Sequence, residues 1–299
     1  MTNTSSLQGI ASPAARWFRR LARRPGGLVG IVLLTLIVIS ALLAPWISPQ
    51  NPYDLAQLDL TDGRLSPGSQ SLSGMTFWLG SDDQGRDMLS AILYGTRVSL
   101  WIGICSSLLS LMVGTFIGMI SAWNGGRIDS LIMRIVDIQL SFPPMLIALI
   151  LLTLFGQGAD KIILALVITQ WAYYTRAVRG NALAEMQRNY IAAARTLALS
   201  RSRIMFRHLL PNCLSSLIVV ATIRVAYAIM LEATLSFLGI GLPVTQPSLG
   251  LLIANGFDYL LSGDYWISLF PGVMLLMLII AINLLGDALR DITNPQQGQ

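Results

Sequence analysis

The sequence predicts an all-α integral membrane protein of six transmembrane helices, and three observations carry that expectation. Of its 299 residues 54% are hydrophobic and only 12% charged, about half the charge of an ordinary soluble domain. Apolar stretches long enough to cross a bilayer recur between the charges. Arginines collect in the segments between alternate stretches, as they do when one membrane face retains basic residues.

Each span follows from a gap between charges. No charge occurs between Arg24 and Asp54, and residues 27–47 form the first span. Residues 98–122, 138–155 and 266–285 are likewise uncharged. A span from about Asp160 to Val178 works because Lys161 and Arg176 can snorkel to the interfaces. Residues 214–238 contain Arg224 and Glu232 and are otherwise apolar enough to insert. The first span is too long for a signal-peptide core and is read as a retained anchor. Trp46, Trp78, Trp101, Trp123 and Trp266 fall near span ends, where interfacial aromatics belong.

Arginine placement sets the orientation. Arg16, Arg19, Arg20, Arg23 and Arg24 precede the first span without an acid among them and should remain inside. Six crossings then place 15 of the 20 basic residues inside and Arg64, Arg86, Arg97 and Lys161 outside, with Arg224 within a span. The division is 1–26 inner N-terminal segment, 27–47 first span, 48–97 outer loop, 98–286 five-helix core with inner loop 179–212, and 287–299 inner tail. The net charge of +5 is thereby a consequence of topology, and a nucleic-acid partner is not needed to explain it.

Several chemistries are excluded. Two cysteines, Cys105 and Cys213, and one histidine, His208, cannot build a metal centre or a His-based catalytic group at membrane depth. No Gly-x-x-x-x-Gly-Lys-Ser/Thr run exists, so the chain does not hydrolyse nucleotide itself. An intramembrane hydrolase lacks a nucleophile with its base, and a passive channel lacks a filter motif.

Charges inside the predicted spans need partners or water, because each costs about 2.5–3.5 kcal/mol at a helix centre. Asp137, Arg224 and Glu232 either line a translocation path or, the favoured reading, fix helix packing through an interhelical ion pair such as Asp137–Arg224. Gly114 and Gly118, with Gly103, should let helices approach closely. Pro143-Pro144 should kink the third span.

The inner loop is the most informative segment. Ala192-Ala193-Ala194-Arg195 favours helix, Ser200 can cap a second helix starting near Arg201, and Pro211 should break the chain before it re-enters the membrane. Ile191, Leu197, Leu199, Ile204, Met205 and Phe206 should dock onto something, either lipid headgroups or a protein. The run from Tyr190 to Ser200 and on to His208-Leu-Leu-Pro-Asn212 resembles the coupling loop of bacterial ABC importer permeases. That family has a glutamate where this chain has Ala192, and a glycine where it has Ala198. The resemblance implies ATPase-coupling roles for Tyr190, Ala193, Ala194, Arg195, Leu197, Ser200, Arg203 and Pro211.

Further blocks narrow the resemblance. Leu79-Gly-Ser-Asp-Asp-Gln-Gly-Arg-Asp87 with Tyr94-Gly-Thr-Arg-Val-Ser-Leu100, then Leu235-Ser-Phe-Leu-Gly-Ile-Gly241 and Asn283-Leu-Leu-Gly-Asp-Ala-Leu-Arg-Asp291, are similar to the second permease subunit of dipeptide, oligopeptide and nickel importers. In that family Gly80, Asp82, Gly85, Arg86 and Asp87 belong to the periplasmic signature at which cargo is admitted. The implied protein is a type I ABC importer permease in the bacterial inner membrane, with both termini cytoplasmic. Implied partners are a second permease, two ATPase subunits carrying ATP and magnesium, and a periplasmic or lipid-anchored substrate-binding protein. Di- or oligopeptides are the expected cargo, with nickel, glutathione, opines or oligosaccharides as alternatives; this chain itself needs no cofactor.

Overall fold

A computed structural model describes residues 25–54, 58–71 and 74–293. The basic run from Arg16 to Arg24 lies outside the described residues. Helix α1 spans Pro25–Leu42, and its opening proline is already fixed at a helical φ. One further turn, Ala44–Ile47, leads into the outer loop. There a two-residue hairpin, β1 (Ser69–Gln70) and β2 (Thr76–Phe77), pairs antiparallel with Ser69 opposite Phe77.

Helix α2 runs from Met88 to Asn124, 37 residues, or roughly 55 Å at 1.5 Å per residue. It starts ten residues before the expected span, so the outer loop is correspondingly shorter. A charge such as Arg97 does not end a helix, and Asp87 supplies the cap: its Oδ2 accepts from the Ser90 amide at 2.8 Å.

The third expected span is a broken pair. Helix α3 (Gly126–Ser141) and helix α4 (Pro144–Phe155) meet at 86°. Phe142 is extended, as the residue before a proline prefers, and two successive prolines leave no amide to carry the helix on. The expected kink at Pro143-Pro144 is therefore a full corner.

Helix α5 spans Ala159–Met186, continuing well into the stretch read as inner loop. Helix α6 (Asn189–Thr196) and helix α7 (Arg201–Phe237) form a hairpin in the stretch expected to be the inner loop, hence the inner hairpin. Pro211 does not interrupt α7. The turn Ile204–Leu209 is π-helical, the Leu210 amide donates to the Met205 carbonyl, and this wider turn takes in the proline ring. Helix α8 (Leu249–Phe257) is capped by Ser248, and helix α9 (Trp266–Thr293) continues without a break at 286, where the tail was expected to begin.

Among the described residues four helices, α1, α2, α7 and α9, are long and apolar enough to cross a membrane, or five spans if the α3–α4 pair counts as one. Helix α5 is long enough at 28 residues but more polar. Its polar side chains Thr169, Gln170 and Thr175 are buried within the bundle. The close fit comes from the α2 glycines. A Cβ on Gly118 would sit 2.7 Å from the Thr175 carbonyl oxygen, and one on Gly114 would overlap Tyr174. Small residues spaced by four thus let α2 and α5 touch backbone to backbone, as the sequence indicated.

Burial is layered along the bundle axis. Met88, Ile92, Leu249, Ile267 and Leu278 form one apolar layer. Ile102, Leu152, Ile162, Leu166 and Leu235 form the middle one. Met119, Val178, Ile191, Ile204, Leu209 and Leu217 form the layer beneath the inner hairpin.

Candidate functional site: a bundle arginine and a helical hairpin

The inner hairpin begins with α6 and turns through a Schellman motif. The Ala198 amide donates to the Arg195 carbonyl at 2.9 Å and the Leu199 amide to the Ala194 carbonyl at 3.2 Å. Ala198 itself adopts φ +52°. This is the left-handed conformation that costs an alanine about 1–2 kcal/mol, and it accounts for a glycine at the equivalent place in the resembling family. Ser200 then caps α7 as expected, accepting from the Arg203 amide at 3.4 Å.

Most apolar residues of the hairpin need no partner, contrary to expectation. Ile191 and Ile204 are buried in this chain's own inner layer, with Leu199 and Met205 packed beside them. Two remain outside it: Leu197 is 74% exposed and Phe206 52%. Tyr190 is partly held by its hydroxyl, which donates to Glu185 at 2.9 Å and accepts from Asn212. Ala193, Arg195, Arg203 and Pro211 are exposed, whereas Ala194 is buried. A recess of about 440 Å³ lies between Trp123, Asn124, Arg195, Leu199, Arg201 and Ile204. Arg195 reaches over Trp123, 6.0 Å from its ring centre.

The charges within the bundle have three different environments. Asp137 pairs with Arg176, which replaces the expected Asp137–Arg224 pair. The two arginines lie on different helices, and α5 rather than α7 faces this part of α3. Among the described residues Glu232 is fully buried without a cation: Ser99 donates to Oε2 at 2.9 Å and Ser236 to Oε1 at 2.8 Å. Through Ser99 it ties α2 to α7.

Among the described residues Arg224 has no carboxylate partner. Its guanidinium carbon lies 3.7 Å from the ring centre of Tyr173 and 5.5 Å from that of Tyr227. Tyr227 is one turn along α7, and Tyr173 comes from α5. The sequence reading missed both tyrosines, although an aromatic three positions from a membrane arginine is a readable signal for cation–π support.

The outer signature is a buried knot. Gly80, Asp82, Gly85, Arg86 and Asp87 are all inaccessible to solvent. Gly80 and Gly85 adopt φ +83° and +73°, and a Cβ on Gly85 would overlap the Asp59 carbonyl. Asp82 Oδ1 accepts from the amides of Gln84 and Arg86 at 2.8 and 2.9 Å. The Arg86 guanidinium spans to the distant Val244 carbonyl at 3.0 Å, joining this loop to the one before α8. Trp266 also serves the knot, donating to the Ser81 carbonyl at 3.1 Å. It is 6% exposed and so is not the interfacial aromatic expected of it. Trp46, Trp78 and Trp101 remain exposed at 78%, 68% and 65%.

Burial dominates the titration of this knot. It pushes the Asp82 carboxyl up to about 6, outweighing the Arg86 and Gln84 amides and the Arg86 charge, which favour the ionised form. Asp87 is moved upward by the same cause.

Long apolar helices packed through glycines, with a basic hairpin at one end, define an integral membrane protein. The comparisons make that specific. The chain belongs to the family of binding-protein-dependent transport system inner membrane components, whose model matches residues 114–298. A second model, the N-terminal TM domain of oligopeptide transport permease C, matches residues 12–67. A protein of Brucella suis biovar 1 is 41% identical over 288 residues, covering 95% of this chain and 93% of that one. The di/tripeptide transport system permease protein of Pseudomonas aeruginosa is 36% identical over 286 residues, covering 95% and 93%. The dipeptide transport system permease protein of Haemophilus influenzae is 34% identical over 299 residues, covering 100% of both. Among solved structures, a chain of the MetNI methionine ABC transporter in inward-facing conformations superposes with TM-score 0.57 at 21% identity. The match covers 69% of this chain and 98% of that one. The fold is that of type I ABC importer permeases.

Proposed function

We propose that this chain is the C-type permease of a binding-protein-dependent importer of di- or oligopeptides. The observation that carries the cargo class is 36% identity, end to end, with a permease named for di- and tripeptides. Specificity among peptides rests with the substrate-binding protein, and energy with two ATPase subunits that bind ATP and magnesium. A second permease completes the pathway in a heterodimer, and this chain contributes no catalytic group.

Helix α5 is the sixth crossing in this reading. Its 28 residues, about 42 Å of helix, lie along α2, and burying its polar face inside the bundle removes the need for uniform apolarity. Six crossings put both termini in the cytoplasm with the α6–α7 hairpin, and place the Gly80–Asp87 knot at the periplasmic face. Segments 1–26 and 287–299 are then inner, 48–97 outer, and 98–286 the pathway core. Because the signature residues are buried, they act by holding the outer loop in shape, and its exposed surface receives the binding protein.

Leu197 and Phe206 are the apolar contacts offered to the ATPases, framed by Arg195, Arg203 and Tyr190, with Ala193 keeping the surface low and Ala194, Ser200 and Pro211 shaping the hairpin. ATPase closure would move this hairpin as one piece and switch the bundle from outward to inward access. Replacing Arg195 and Leu197 together by Asp tests it. ATPase co-purification, or stimulation of ATP turnover, is expected to fall sharply. Unchanged assembly and turnover would overturn the docking role. Of the intramembrane charges, Arg224 is assigned to the pathway, while Asp137 and Glu232 serve packing.

A further inference from the structure

We propose that Arg224 binds the C-terminal carboxylate of the peptide in transit, held for that task by Tyr173 and Tyr227. The inference rests on the peptide-importer reading above and adds the chemical group that this chain recognises.

The argument starts from what Arg224 does not do. Among the described residues it makes no ion pair and no hydrogen bond, although acids are present in the same bundle. Asp137 is taken by Arg176, Asp129 by Arg179, and Glu232 by serines. A membrane arginine left without an anion is costly unless water or a ligand reaches it. Arg224 is only partly buried, so its nitrogens remain accessible.

Its support is also directional. The guanidinium carbon sits almost over the centre of Tyr173 at 3.7 Å, with Tyr227 at 5.5 Å. At 3.7 Å the guanidinium carbon is at stacking distance from the ring, a placement that covers the face of a guanidinium and leaves its edge of N–H donors for a ligand. That edge matches a carboxylate in a two-pronged arrangement. Every peptide with a free C-terminus carries this group whatever its side chains, so one such contact suits a carrier whose sequence selection occurs elsewhere. The aromatic rings moderate the charge without neutralising it, which favours release as well as capture.

The test uses the complete transporter, with its partner subunits and binding protein, reconstituted in proteoliposomes. ATP-driven uptake of trialanine is compared with that of trialanine amide for wild type, Arg224→Gln, Arg224→Lys and Tyr173→Leu. The binding protein is common to all preparations, so its own preference cancels when variant and wild-type ratios are compared. We expect Arg224→Gln to lower the acid-to-amide uptake ratio about ten-fold, the effect of losing one charged hydrogen-bonded contact. Arg224→Lys and Tyr173→Leu should lower it less, because the first keeps charge without the plane and the second keeps the plane without its support. An unchanged ratio in all three variants overturns the proposal. Loss of complex assembly in Arg224→Gln, with an unchanged ratio in the two milder variants, also overturns it. Absence of ATP-driven uptake of either peptide by wild type would instead sink the peptide-importer reading.

Discussion

Arg179 grips Asp129 side-on, with Nε 2.5 Å from Oδ1 and Nη2 2.6 Å from Oδ2. The Ser121 hydroxyl donates to the same Oδ1 at 2.5 Å. Three helices, α2, α3 and α5, are thereby joined beside the tight turn at Gly125. The arginine is 29% and the aspartate 18% exposed, so solvent competes less than at a surface ion pair, and the two-pronged geometry fixes orientation as well as distance.

Asp129→Asn should therefore cost about 1–3 kcal/mol, because it leaves a partly buried guanidinium short of an acceptor. The measurement is thermal unfolding of the purified transporter in detergent, where the midpoint should drop by several degrees. Asp137→Asn should shift it less, since Arg176 and Asp137 are 52% and 61% exposed. Equal shifts would contradict the burial argument.

At the inner hairpin, Ala198→Gly should stabilise. Removing Cβ relieves the left-handed strain at φ +52°, worth about 1–2 kcal/mol. The extra freedom of glycine in the unfolded chain offsets about 0.5–1 kcal/mol of this. The net gain, between about 0 and 1.5 kcal/mol from these two ranges, should appear as slower amide exchange at Leu199, whose hydrogen bond closes the turn. Ala198→Val should act oppositely, and faster exchange in Ala198→Gly would show that the turn is not strained.

What the sequence revealed and what it hid divide along physical lines. The Gly114–Gly118 spacing was readable because close helix approach needs small residues one turn apart, a local property. The Ser200 cap was readable for the same reason. Partner choice was not: the sequence offers Asp137 arginines on two helices, and which one it meets depends on helix rotation and on the 86° corner after Ser141. Counting charge gaps also misplaced the start of α2, since Arg97 tolerates a helix that an aspartate cap begins ten residues earlier. Pro211 looked like a terminator because sequence reasoning considered only α-helical hydrogen bonding, and a π turn accommodates it. Tyr173 was hidden from Arg224 because it comes from another helix, whereas Tyr227, one turn along the same helix, was legible.

Overpacking the α2–α5 contact should unfold the bundle. Gly118→Leu drives a side chain into the Thr175 carbonyl and Val178, whose Cβ would be 2.9 Å away from the first added carbon alone. Overpacked cores lose about 1–3 kcal/mol or more, and backbone on the far side cannot move aside as a side chain would. Fluorescence-detected size exclusion should show loss of the monodisperse peak. Gly272→Ala in α9, where a Cβ meets nothing within 4 Å, should leave the peak intact; collapse of both variants would point to a general intolerance of the helices and not to this contact.

The outer knot should make stability depend on pH in a direction opposite to most carboxylates. Asp82 is raised from 3.8 to about 6 in the folded protein, so between those values the folded chain holds a proton that the unfolded chain has released. Folding stability from this group is fully present below about pH 4, declines as pH rises to about 6, and is flat above. The slope is at most about 1.4 kcal/mol per pH unit for one group. Asp87, raised by burial as well, adds to the decline. Asp82 Oδ2 has no hydrogen-bond donor and lies 3.9 Å from Arg86 Nε, which leaves that oxygen free to carry the proton. Melting temperature followed from pH 4 to 7 should fall for the native sequence, and Asp82→Asn, neutral throughout, should flatten most of that fall. A melting temperature that rises across this window, equally with and without the substitution, would show that Asp82 stays ionised and that its bonds to the Gln84 and Arg86 amides outweigh its burial.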